Sequence, residues 1–153
     1  MGSRVLDLGC GNGHLLLALA DEGFTSLVGT DYSEKAIELA KSIAKDRDLD
    51  GLVTYYAANI LDMGDVARLR GDRPFDVLLD KGTYDAICLK PAGEDQYATD
   101  ADADADAIDS DRVDLTVRRD YVASVVALLA DTGVFLITSC NWTMQELTSH
   151  FQD

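Results

Sequence analysis

The segment VLDLGCGNG, residues 5–13, constrains this chain more than any other. A short apolar run stops at three glycines spaced two apart, Gly9, Gly11 and Gly13, and a helix is predicted from about Gly13 to Glu22. Glycines at such a junction let the backbone turn tightly from strand into helix and let a ligand approach with no Cβ in the way. A strand, a glycine turn and a helix in this order form the opening unit of a parallel α/β sheet.

The rest of the chain repeats that unit. Arg4 to Leu8 reads as the first strand, and Leu27 to Thr30 as the second, ending at Asp31. Ser33 stands at the N-cap of a helix whose apolar residues Ala36, Ile37, Ala40, Ile43 and Ala44 recur at helical spacing. Val53 to Ala57 and Phe75 to Leu79 are the third and fourth strands, the latter preceded by Pro74. Helical periodicity returns at Tyr121, Val125, Leu128 and Leu129, and Gly133 leads into a fifth strand, Val134 to Thr138. Thr143 with Glu146 three residues later is a capping box that opens a last helix. The expected fold is α/β, Rossmann-like, with a mostly parallel sheet and helices on both faces.

With 153 residues, of which 47% are hydrophobic, the chain 1–153 is expected to be one domain with one core. The cysteines Cys10, Cys88 and Cys140 are odd in number and far apart, which suggests neither a disulfide framework nor a zinc site and fits a reducing compartment. No stretch approaches the roughly 20 apolar residues of a membrane span. The net charge of -15 is uneven: residues 92–114 alone carry -8, and their alternating Asp and Ala predict a flexible, disordered acidic insertion. The remaining -7 disfavours nucleic acid as a partner and suits a basic, lysine-bearing protein, although solubility alone also explains it.

The glycines are not those of a dinucleotide site. In G-x-G-x-x-G the third glycine would fall where His14 stands, one residue after Gly13. Asp7, two residues before the first glycine, would be misplaced beside a pyrophosphate but can accept a hydrogen bond from an ammonium group. Asp31 closes the second strand about 20 residues on, where an acid can take both hydroxyls of a ribose. Asn59, just past the third strand, is placed to contact an adenine amino group, and Tyr32 and Ile60 to cover the ring; packing or turn formation competes as an explanation for these three. The predicted cofactor residues are thus Asp7, Gly9, Cys10, Gly11, Gly13, Asp31, Tyr32, Asn59, Ile60 and Asp80.

Three segments, VLDLGCGNG, LLDKGTYDAI and LITSCNWTMQELTSHF, together resemble the eukaryotic translation elongation factor 1-alpha lysine methyltransferases, a branch of the seven-strand class I methyltransferases. The glycine segment is widespread, whereas DKGTYDAI and SCNWT are far more restricted and carry the resemblance. It implies S-adenosylmethionine as cofactor, a lysine of elongation factor 1-alpha as methyl acceptor, and a cytoplasmic protein with no nucleic-acid or membrane partner. Four residues at the carboxyl ends of the fourth and fifth strands are placed to serve such an acceptor: Asp80 to accept a hydrogen bond from the amine, Tyr84 to wall the lysine channel, and Asn141 and Trp142 to position the substrate. The competing explanation is that Asp80 and Thr83 stabilise a turn and Trp142 is packed core. His14 and His150 have no partners at catalytic spacing and are expected to be structural.

The family normally carries helical residues ahead of the first strand and a further β-hairpin after the last helix, neither of which is present in this sequence, so the fifth strand is expected to be an exposed edge. That leaves three other functions to weigh. They are a truncated module that binds cofactor or partner without turnover, a small-molecule methyltransferase, and a nicotinamide dehydrogenase, the last disfavoured by the glycine spacing and Asp7.

Overall fold

The computed structural model describes residues 2–88 and 115–152, so the acidic stretch at 92–114 lies outside the described residues. The elements run β1 (Val5–Leu8), α1 (His14–Asp21), β2 (Leu27–Asp31), α2 (Glu34–Asp46), β3 (Val53–Ala57), α3 (Met63–Arg70), β4 (Phe75–Lys81), α4 (Thr83–Cys88), α5 (Leu115–Leu128), β5 (Leu129–Thr138) and α6 (Met144–His150). All five strands are parallel neighbours in the order β3-β2-β1-β4-β5. The expected α/β class is therefore what the chain forms.

Local chemistry sets the helix starts. Ser33 Oγ accepts from the Ala36 amide and caps α2, and Thr143 with Glu146 forms the complete capping box at α6. Two helices are absent from the sequence reading: α3, capped by the Asp62 side chain on the Asp65 amide, and the short α4. β5 also begins earlier than expected, at Leu129, with a register irregularity opposite Phe75 and Val77 on β4.

β1 is buried on both faces because helices cover both sides of the sheet. Leu6 and Leu8 join Phe75, Leu78, Tyr84, Tyr121, Val125 and Leu128 in one core layer, under α3, α4 and α5. Val5 joins Leu16, Leu17, Ile37, Ala40 and Tyr55 in the other, under α1 and α2. Burying each of these larger side chains stabilises the fold by about 1.5–3 kcal/mol. Among the described residues β5 is an edge strand, as expected, and it leaves Val134 and Leu136 exposed on one face.

Sheet order fixes where a ligand can sit. The chain moves outward from β1 through β2 to β3, then crosses back to place β4 on the other side of β1. The crevice at the carboxyl ends of β1 and β4, where the direction reverses, is the usual binding position in such sheets. Leu8 pairs with Asp80 across that point, so the glycine turn and the segment DKGTYD emerge side by side.

Candidate active site

The turn after β1 needs its glycines for two separate reasons. Gly9, Gly11 and Gly13 all have positive φ, at 70°, 54° and 77°, a region that side chains with a Cβ enter at a cost. Gly9 and Gly13 are also crowded: a Cβ on Gly9 would overlap Thr83 Oγ1, and one on Gly13 would overlap the Tyr55 hydroxyl. Gly11 differs, since a Cβ there would meet nothing within 4 Å; it borders open space at the mouth of the crevice. Cys10 is buried, and burial, followed by the nearby Asp7 and Asp31 carboxylates, pushes its thiol up to about 12, so it stays a neutral thiol. Its sulfur faces Gly29 in the core, which leaves only its backbone at the turn.

Three carboxylates converge on the crevice. Asp7 is only 3% exposed, and no donor among the described residues reaches its side chain. Burial, reinforced by Asp80, raises its carboxyl to about 7, while Lys81 opposes the shift. An acid this costly to bury without a partner fits a cationic group bound next to it. Asp31 holds the turn itself: Oδ2 accepts from the Gly11 amide at 3.0 Å and Oδ1 from the Ser33 amide at 2.9 Å. Each of its oxygens keeps a lone pair for another donor.

The predicted adenine contacts are close to Asp31. The Ala58 amide donates to the Asp31 carbonyl at 3.0 Å, which brings Asn59 beside the end of β2. Asn59 Oδ1 accepts from the Leu61 amide, and the Asn59 amide donates to Asp65. Tyr32 is 79% exposed, whereas Ile60 is 8% exposed and packs in the core.

Asp80 lies across the crevice from the glycine turn and is itself buried. Its Oδ1 accepts from the Thr83 amide and its Oδ2 from the Tyr84 amide, both at 2.9 Å, and Oδ2 also accepts from the Tyr121 hydroxyl. Burial raises the Asp80 carboxyl, and these three hydrogen bonds pull it back. A carboxylate offers about four acceptor positions, so one, on Oδ1, remains for an incoming donor. Asp80 is therefore both the turn-former of the competing explanation and a group able to accept one further proton donor.

A methyltransferase domain family matches the chain over residues 1–153. The chain belongs to that family. The chain is 41% identical over 97% of its length to the protein-lysine N-methyltransferase efm4 of Schizosaccharomyces pombe, of which it covers 56%. It is 36% identical over its whole length to human EEF1A lysine methyltransferase 2, covering 54% of that protein. The chain thus spans about half the length of the curated relatives it matches. Among solved structures it shares the fold of PKMT2 from Rickettsia typhi in complex with AdoHcy, at a TM-score of 0.61 and 24% identity, covering 88% of this chain and 20% of that one.

Near the carboxyl ends of β4 and β5 the structure departs from the sequence reading at Tyr84. Tyr84 is fully buried among Tyr121, Trp142, His150 and Phe151, with ring centroids 5.1–6.4 Å away. Its ring supports Trp142 from within the core instead of walling an open channel, because α4 turns it inward under α5 and α6. His150, expected to be structural, stands 2.8 Å through Nδ1 from the Tyr84 hydroxyl. His14 is exposed, as a structural residue at a helix start would be. Asn141 is exposed and Trp142 half-buried, both in the loop between β5 and α6.

Sequence reasoning also missed Tyr121 and Asp85 as site residues. Tyr121 counts as core by its periodicity, and nothing local reveals that its hydroxyl reaches Asp80, 41 positions away. Among the described residues no cluster of His, Cys, Asp and Glu has the geometry to hold a metal ion, and no helix is long and apolar enough to cross a membrane.

Proposed function

We propose that the chain is the cofactor-binding part of an S-adenosylmethionine-dependent protein-lysine N-methyltransferase, acting in the cytoplasm on a lysine of elongation factor 1-alpha. The observation that carries the reading is the pairing of Asp7, buried and without a hydrogen-bond donor among the described residues beside the open space at Gly11, with Asp80 one strand away. A ligand bearing an ammonium and a sulfonium matches that acidic crevice, whereas a pyrophosphate would be repelled. The lysine acceptor rests on the two named relatives and on DKGTYD and SCNWT standing at adjacent strand ends.

Bound there, S-adenosylmethionine supplies an electrophilic methyl group for an in-line displacement by a neutral amine. Asp7 would hold the ammonium of the amino-acid moiety, Asp31 the ribose hydroxyls, and Asn59, Tyr32 and Ile60 the adenine. Asp80 would accept a hydrogen bond from the neutral lysine amine in its remaining acceptor position and so orient the nitrogen lone pair. Orientation of this kind supplies much of the rate in such a displacement. An ordinary lysine, with a pKa near 10.4, must lose a proton first, and a buried cationic neighbourhood favours the neutral form. Asn141 and Trp142 would guide the side chain from outside.

The test is transfer of labelled methyl from S-adenosylmethionine to purified elongation factor 1-alpha, with Asp80→Ala as control. Incorporation at one lysine, reduced about 100-fold or more in the variant, is the expected result for a group that positions the nucleophile. Equal incorporation into unrelated proteins, or none by a chain that binds cofactor, would overturn the assignment of the acceptor.

A further inference from the structure

The short helix α4 is anchored at both ends of the site. On the cofactor side, the Thr83 hydroxyl donates to the Leu8 carbonyl at 2.6 Å. On the other side, Asp85, 6% exposed, reaches the loop after β5: Oδ1 accepts from Ser139 Oγ at 2.6 Å and Oδ2 from the Cys140 amide at 2.8 Å. Ser139 Oγ in turn accepts from the amides of Asn141 at 3.1 Å and Trp142 at 3.0 Å. One buried carboxylate therefore organises the backbone of three consecutive residues, 140–142, two of them through a single hydroxyl.

We propose that Asp85 is a positioning residue for the acceptor half of the site, fixing through Ser139 the loop that presents Asn141 and Trp142. The inference rests on the reading of that loop as the lysine entrance. The donor arrangement explains why a carboxylate is needed. Two donors approach its two oxygens, and with its proton directed to Asp85 the Ser139 hydroxyl points both lone pairs at the two amides. An amide side chain at 85 would turn an N–H₂ group toward one of those donors and break the relay. Hydrogen bonds to a charged acceptor are the stronger ones, so the relay fixes the backbone of the loop beside the packing of Trp142 on Tyr84 and His150. None of the Asp85 hydrogen bonds reaches Asp7, the glycines or Asp31, so its geometric effect falls on the loop after β5.

Trp142 is the only tryptophan in the chain and lies in this loop, which gives a readout that needs no acceptor protein. Trp142 emission and acrylamide quenching are compared in the wild type, Asp85→Asn, Ser139→Ala and Ser139→Thr, beside thermal melts and titration with S-adenosylhomocysteine. Asp85→Asn and Ser139→Ala are expected to shift the emission to longer wavelength and raise quenching with cofactor affinity unchanged, and Ser139→Thr to match the wild type. With elongation factor 1-alpha as acceptor, KM should rise about tenfold or more in the first two variants, the loss expected when hydrogen bonds to a charged group are broken. If Asp85→Asn does not fold, Ser139→Ala carries the same test, because it leaves the Thr83 and Asp80 anchors of α4 intact. Unchanged quenching in the folded variants, or a fall in cofactor affinity parallel to it, would overturn the proposal. The fluorescence changes in a chain that does not methylate elongation factor 1-alpha would uphold the role of Asp85 in the loop and overturn the acceptor instead.

Discussion

The hydroxyl of Thr83 donates to the carbonyl of Leu8 at 2.6 Å, directly over Gly9. That contact joins the segment DKGTYD to the glycine turn, and it is possible only because residue 9 has no side chain. Gly9→Ala combines a left-handed backbone with overlap against Thr83, and should destabilise the fold by about 2–4 kcal/mol. Urea denaturation measures it. A loss below about 0.5 kcal/mol, the range of ordinary surface changes, would mean that the close approach is not maintained in solution.

Asp7 predicts a pH dependence in two opposite senses. Its folded carboxyl titrates near 7, above the ordinary 3.8, so its contribution to stability is complete below about 3.8 and is lost as pH rises through 7. Relative to Asp7→Asn, the wild type without ligand should therefore become progressively less stable from pH 4 to 8, as measured by denaturant midpoints. Affinity for a cationic ligand runs the other way. Ionisation of Asp7 between pH 6 and 8 should strengthen S-adenosylhomocysteine binding by about tenfold, the ratio of ionised fractions for a group titrating near 7. The corresponding slope should be absent in Asp7→Asn.

Tyr121→Phe removes one of the three donors to Asp80 and leaves ring packing in place. A buried charged acceptor that loses a partner costs about 1–3 kcal/mol, which should appear as a lower melting temperature. Because the Tyr121 hydrogen bond holds the Asp80 carboxyl down, its loss should move the acidic limb of the kcat profile to higher pH. A profile that does not move would show that Asp80 does not govern turnover.

Much of the glycine turn and its flanking carboxylates was legible in the sequence, because it is built from neighbours along the chain. Asp7, Gly9, Gly11 and Gly13 fall within seven consecutive residues, and the Ser33 cap and the Thr143–Glu146 box are local patterns. The cluster around α4 and the loop after β5 was legible only as positions. Asp85 meets Ser139 across 54 residues and Tyr84 meets His150 across 66, and no local pattern encodes such pairings. The missed helix α3 did carry a signal: Asp62 followed by Asp65, then Val66 and Leu69 at helical spacing, is a capped amphipathic turn. The early start of β5 had none, since the apolar run Leu128–Leu129 continues the helical period into the strand.

Asp31→Ala separates the turn from the ligand. The variant loses acceptors for the half-buried Gly11 and Ser33 amides, and the acid assigned to the ribose. Affinity for S-adenosylhomocysteine should fall about 10- to 100-fold, as for a broken hydrogen bond to a charged group, while the melting temperature changes little. A large fall in melting temperature would instead make Asp31 a residue of the turn alone.

Calorimetric titration with S-adenosylhomocysteine tests the central claim most directly, with Gly11→Arg as the companion because its side chain would enter the open space of the crevice without meeting the core. Saturable binding at one site per chain, abolished in folded Gly11→Arg, is the predicted result. A folded wild-type chain that takes up a nicotinamide dinucleotide but not S-adenosylhomocysteine would contradict the account.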